Sequence, residues 1–175
     1  MYLGVDLSLT ATGICRCSDG RLECFTINPG ARTGWERLGY IRDAVLSFGA
    51  VSIAIEGLSF GSNMPSAQER AGLWHMIGFE WWQRRAPMPP VIVVPPTTLK
   101  KFVCGNGKAE KSMMMLAVYK RWGISVANDN EGDAVGLCQI ARMFGGDLEP
   151  ETAAQIEVIE MLRTPKVKKP KKVKR

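Results

Sequence analysis

Three short apolar stretches, at residues 2–7, 12–17 and 21–27, follow one another with too little chain between them for a crossover helix. Parallel neighbours need a connection of a dozen or more residues, so these three stretches have to pair antiparallel if they form one sheet. Ser18, Asp19 and Gly20 supply the tight turn that makes the second and third a hairpin. From residue 33 the pattern changes. Thr33 and Glu36 are spaced as a capping box, and Leu38, Ile41, Val45 and Phe48 follow at three- and four-residue intervals, the stripe of an amphipathic helix. The run 51–55 is almost wholly apolar and ends in Glu56, as a strand covered on both faces would. Ser66 and Glu69 offer a second capping box for a helix to about Arg85, which Pro87, Pro89 and Pro90 terminate. A fifth strand is expected at 91–94, then helices near 97–103, 109–121, 131–144 and 151–162. The later strands, separated by helices, call for parallel crossovers. The fold expected is α/β, a mixed five-stranded sheet with helices on both faces, and no internal repeat is apparent.

Two acids stand where apolar residues are the rule. Asp6 lies within the first strand between Val5 and Leu7, and Glu56 closes Ser52-Ile53-Ala54-Ile55. An ionised carboxylate in such surroundings is costly unless it is paired or bound to a cation. If the first and fourth strands are parallel neighbours, both acids emerge at adjacent carboxyl ends, where open α/β sheets place ligands. A third acidic group, Asp129-Asn130-Glu131-Gly132-Asp133, opens the helix that continues through Leu137 and Ile140. Helical spacing puts Asp129 or Asn130 on the face of Asp133, with Glu131 turned elsewhere while the helix is regular. A simple structural role competes, because Glu131 and Asp133 could cap the helix and favour its dipole. Three carboxylates and a single histidine, His75, suit a hard divalent cation, Mg²⁺ or Mn²⁺, better than zinc. Two such ions promote in-line phosphodiester hydrolysis without any Ser/His/Asp arrangement.

Four blocks carry a resemblance to a known family: Gly4-Val5-Asp6-Leu7-Ser8-Leu9-Thr10-Ala11-Thr12-Gly13, Ile55-Glu56, Gly105-Asn106-Gly107-Lys108-Ala109-Glu110-Lys111, and Asp133-Ala134-Val135-Gly136. In this order and at these separations, they resemble the RuvC-type Holliday-junction resolvases of the ribonuclease H-like superfamily, over most of residues 1–145. The resemblance implies a metal-dependent crossover-junction endodeoxyribonuclease that leaves 5′-phosphate and 3′-hydroxyl ends. Asp6, Glu56 and Asp133 match three members of the family's acidic cluster; Asp6 would bridge two ions, with Glu56 and Asp133 each completing one coordination sphere. The fourth member normally lies three residues before the last Asp. That position is Asn130, a neutral carbonyl donor, and Asp129 or Glu131 could supply charge only from an irregular helix start.

The glycine-rich block offers Asn106, Lys108 and Lys111 to a DNA backbone, with Lys100 and Lys101 as extensions of that surface. Phe60, in the loop after Glu56, is a candidate for stacking on an unpaired base, with a core role as the competing reading. The family implication extends to branched DNA as partner and to a homodimer, for which the Gly- and Trp-rich helix 66–85 is the candidate interface. Trp74, Trp81, Trp82 and Met113 to Met115 fit core or subunit contacts, and His75 a structural place.

Charge divides the chain. Residues 163–175 hold eight Lys/Arg and no acid, leaving 15 basic against 17 acidic residues before them. With Pro165, Pro170 and few apolar residues this segment is expected to be a disordered tail suited to phosphates, outside a nuclease domain over 1–162. No run reaches the roughly 20 apolar residues of a membrane span, and the N-terminus lacks a secretion pattern. Five scattered cysteines read as reduced thiols, Cys15 and Cys17 lacking the companions of a zinc site. The compartment expected is the cytoplasm of a bacterial cell or a phage-infected host. Broader flap or fork cleavage and non-catalytic DNA binding are the alternatives. The first block also resembles the phosphate hairpin of sugar-kinase and actin-like modules, but those need a second duplicated domain, so no nucleotide cofactor is expected.

Overall fold

A computed structural model describes residues 1–58, 66–84 and 91–164. Phe60 and the basic segment from 165 onward lie outside the described residues. The strands are β1 (Tyr2–Asp6), β2 (Thr12–Ser18), β3 (Arg21–Ile27), β4 (Ser52–Glu56) and β5 (Val91–Val94). They form one sheet in the order β3-β2-β1-β4-β5. The β1–β2 and β2–β3 pairs are antiparallel, whereas β1–β4 and β4–β5 are parallel. This is the mixed sheet that the spacing predicts. At the β2–β3 turn Asp19 and Gly20 both take positive φ, 51° and 79°, the geometry of a two-residue hairpin loop.

Among the described residues six helices cover the sheet: α1 (Gly34–Leu46), α2 (Ser66–Arg84), α3 (Pro96–Cys104), α4 (Lys111–Trp122), α5 (Asp129–Phe144) and α6 (Ala153–Arg163). Alternation along the strands assigns the two faces. Leu3 and Val5 of β1, Ile14 of β2, and Ile53 and Ile55 of β4 pack with Leu38, Ile41 and Val45 of α1 and with Leu73, Ile77 and Trp81 of α2. Cys15, Cys17, Ala54, Ile92 and Val94 point the other way, into a core built on α5 and completed by α3, α4 and α6. Because successive strand residues face opposite sides, Asp6 follows Gly4 and Glu56 follows Ala54 onto the α5 face.

Neither expected capping box forms. Thr33 is the N-cap of α1 but makes no side-chain cap bond, and Glu36 pairs instead with Arg32 at 3.6 Å. Ser66 is already the first residue of α2, and Glu69 is bound by Arg37. A true capping box appears at α6, between Thr152 and Gln155. Trp81 and Met114 are core residues, whereas Trp82 and Met113 are exposed. His75 is exposed and sits edge-on to Trp74 at 5.1 Å. All five cysteines are free; Cys15, Cys17 and Cys138 are buried, Cys24 and Cys104 only partly so. Among the described residues no helix is long and apolar enough to cross a membrane.

Candidate active site

The parallel register pairs Val5 with Ile55, so the next residues, Asp6 and Glu56, end adjacent strands side by side. Asp6 is only 8% exposed and Glu56 partly buried, and the two carboxyls share a hydrogen bond. Burial is the main cause that raises both above the ordinary carboxylate range, Asp6 to about 7 and Glu56 to about 8. Repulsion from Asp133 adds to each, and Glu56 is further raised by the charge of Asp6 and by the hydrogen bond it makes to it, which in turn lowers Asp6. Trp74 Nε1 donates to the Glu56 carbonyl at 3.0 Å and ties the end of β4 to α2.

Asp133 comes from α5, and two glycines let α5 approach. A Cβ on Gly4 would lie 2.1 Å from the Ala134 carbonyl oxygen, and one on Gly13 would lie 2.1 Å from that of Asn130. The helix backbone thus rests directly on β1 and β2 on either side of Asp133. Burial, then repulsion from Asp129, raises Asp133 to about 6, while Lys111 and Lys100 pull it down. The sequence-predicted trio Asp6, Glu56 and Asp133 accordingly forms one electrostatically linked group. Among the described residues no three acidic, His or Cys side chains already close on one point as a ligand shell. The donor chemistry nevertheless fits a hard dication: every charged donor is a carboxylate oxygen, and mutual repulsion is what a cation would relieve.

The residues around Asp133 separate into different roles. Asn130 Nδ2 donates to the Ala11 carbonyl at 2.7 Å, fixing the β1–β2 loop to α5. Asp129 is bound by Lys111, which holds its carboxyl below the usual range. Glu131 does not belong to the cluster. It is 8% exposed, accepts from Thr26 Oγ1 at 2.7 Å and from the Ala127 backbone N–H at 2.8 Å, and so caps the start of α5 beside the N-cap Asn128. The hydroxyls of Ser8 and Thr12 are used within the β1–β2 loop, accepting from the Ser8, Thr10 and Ala11 backbone N–H groups.

The predicted DNA-contacting residues also diverge. Lys108 is exposed, and its backbone N–H donates to Asn106 Oδ1 at 3.0 Å, so the loop is internally braced. Gly105, with φ 76°, terminates α3 in the left-handed conformation, a local reason for its presence. Lys111 begins α4 beside Asp129, and Lys100 acts on Asp133, whereas Lys101 is committed to Glu157 of α6 at 2.5 Å. Arg70 of α2, which acts on Glu56, escapes sequence reading. Its only signal is its position four residues before Trp74, on the turn that docks at β4.

No family model and no curated protein matches the chain. Solved structures do. The chain is similar to the Thermus thermophilus RuvC structure, with 22% identity and a TM-score of 0.55 over 78% of this chain and 89% of that one. It is similar also to T. thermophilus RuvC in complex with Holliday junction substrate, at 18% identity and a TM-score of 0.60, over 78% and 88% of the two chains. The five-stranded mixed sheet and its helices therefore have the ribonuclease H-like fold of RuvC.

Proposed function

We propose that this chain is a divalent-metal-dependent endodeoxyribonuclease that resolves four-way DNA junctions by phosphodiester hydrolysis. The observation that carries the reading is the register-adjacent pair Asp6 and Glu56, with Asp133 delivered by α5, at the carboxyl ends of parallel strands. The likeness in fold to a RuvC that was solved with a Holliday junction supports it. Asp6, Glu56 and Asp133 would hold Mg²⁺, or Mn²⁺ in its place, with Asn130 or Asp129 as the further ligand; the ion supplies activation of water at neutral pH and neutralises charge developing on the phosphate. Lys111 and Lys100 balance the acids on the α3 and α4 side, and Lys108 and Asn106 present the loop before α4 to the DNA backbone.

A four-way junction is symmetric, and a homodimer places two sites on it. Phe79 and Trp82 of α2, 56% and 58% exposed with ring centroids 5.9 Å apart, supply the apolar surface for that contact. Free thiols support a reducing, cytoplasmic setting. The non-catalytic alternative draws on Asn130, an amide where the family pattern has an acid.

Strand mapping of a synthetic four-way junction, with Mg²⁺ and with chelator, tests the proposal. Expected are paired symmetric nicks that need the metal. Asp6→Asn or Glu56→Gln should lower cleavage by roughly 10³-fold or more while junction binding stays within a few-fold. Wild-type cutting by those variants refutes the site. Binding without any cleavage supports the non-catalytic reading, and cuts confined to flaps or forks point to a broader branch nuclease.

A further inference from the structure

We infer that Arg70 is a phosphate-binding residue of the same site, holding the DNA from the α2 side of the acid cluster; the inference rests on the nuclease reading. The cations near the cluster are unevenly placed. Lys111 and Lys100 approach from α4 and α3 and act on Asp129 and Asp133. On the Glu56 side the cation that acts is Arg70. It stands in the second turn of α2, one turn before Trp74, whose bond to the Glu56 carbonyl fixes the helix against the end of β4. Arg70, Trp74, Leu7, Glu56, Gly57 and Leu58 line a small cavity of about 30 Å³, the room of about one water molecule.

The partners of the other arginines set Arg70 apart. Among the described residues, the half-buried Arg16, Arg37, Arg42 and Arg142 each pair with a carboxylate, and Arg121 donates to the Val103 carbonyl. Arg70 is half-buried too, yet among the described residues it makes no hydrogen bond or ion pair. A half-buried guanidinium whose donors are not used by the described residues, beside a carboxylate cluster, is suited to a ligand bearing paired anionic oxygens. A phosphodiester drawn to cations on Asp6 and Glu56 would present its non-bridging oxygens there. Arg70 would then grip the phosphate opposite Lys100 and Lys111 and stabilise the charge that grows as water attacks.

Arg70→Gln and Arg70→Lys in the full chain test this. With Arg70→Gln, single-turnover cleavage at saturating junction should fall ~10²-fold, and the slope of log affinity against log salt should shrink by about one unit, the share of a single neutralised phosphate. The melting temperature should stay within about 2 °C, because no hydrogen bond or ion pair among the described residues is lost. Arg70→Lys should restore the salt slope but only part of the rate, because a point charge does not reproduce the fork. Wild-type rate and slope in Arg70→Gln would overturn the inference. So would parallel loss of rate and melting temperature with an unchanged slope, the mark of a structural residue. Should the wild-type protein cut no branched DNA, the nuclease reading fails, while the slope difference still reports whether Arg70 meets a phosphate.

Discussion

Asp6 is a carboxyl whose ionisation the fold opposes. Its ordinary value near 3.8 is raised to about 7 by burial first and then by the charge of Asp133, and Glu56 is raised to about 8 by burial and then by the charges of Asp6 and Asp133. For an acid raised in the folded state the native protein holds more protons than the unfolded chain, so stability is greatest below the unfolded value. It declines as pH rises through the folded ones. The metal-free protein should therefore lose stability between about pH 4 and pH 8. Asp6→Asn removes one source of that loss and should melt roughly 5 °C higher than wild type at pH 8.5, and no higher at pH 4, in chelator. Scanning calorimetry at the two pH values checks this, and millimolar Mg²⁺ should raise the wild-type melting temperature at pH 8.5 alone. The same physics made Asp6 and Glu56 legible in the sequence: an acid inside an apolar strand has few explanations. Glu131 was harder to place because its partners, Thr26 and Ala127, are a hydroxyl on β3 and a backbone N–H, neither of which helical spacing reveals.

At the level of elements, the site depends on how closely α5 lies on the sheet. Gly13 sits under the Asn130 carbonyl, so a methyl group there meets backbone rather than a side chain that could swing aside. Gly13→Ala should cost about 3 kcal/mol and, by lifting the start of α5, should reduce cleavage more than junction binding; denaturant melts and single-turnover rates measure the two. Glu131→Ala addresses the same helix from its cap. Loss of the bonds to Thr26 and Ala127 should destabilise by ~2 kcal/mol, yet the rise in melting temperature produced by Mg²⁺ should match that of wild type. Were that rise abolished, Glu131 would be a ligand after all. The strands and the order of the helices were legible because alternation and turn residues are local signals. The α1 and α2 capping boxes were not, since Glu36 and Glu69 are recruited by Arg32 and Arg37. One of those partners lies on another helix, and spacing within a segment carries no record of it.

For the molecule as a whole, the basic charge and the proposed catalytic acids are separated along the chain. The net charge is +6, but residues 1–162 hold 17 acids against 15 bases, and Asp6, Glu56 and Asp133 are gathered at the site proposed above to accept a phosphodiester. The lysines on the α3 and α4 side are partly engaged, Lys111 by Asp129 and Lys101 by Glu157. On the proposed function, residues 1–162 alone would therefore attract DNA only weakly at a distance, even where they position a phosphate once it is there. Long-range attraction would then fall to the basic C-terminal segment. Deleting residues 165–175 takes away seven Lys/Arg, and every phosphate that is no longer neutralised takes close to one unit off the salt slope of binding. The truncated protein should bind a junction at least ~10-fold more weakly at about 0.1 M salt, with a shallower slope. Its melting temperature should be unchanged, and its single-turnover rate at saturating DNA and Mg²⁺ should remain within a factor of about three, a difference of less than about 1 kcal/mol in the barrier. Affinity titrations across a salt series, paired with saturated single-turnover assays, separate the two quantities. A rate that collapses even at saturation would place part of the catalytic machinery in the tail and end the division of labour argued from the charge distribution.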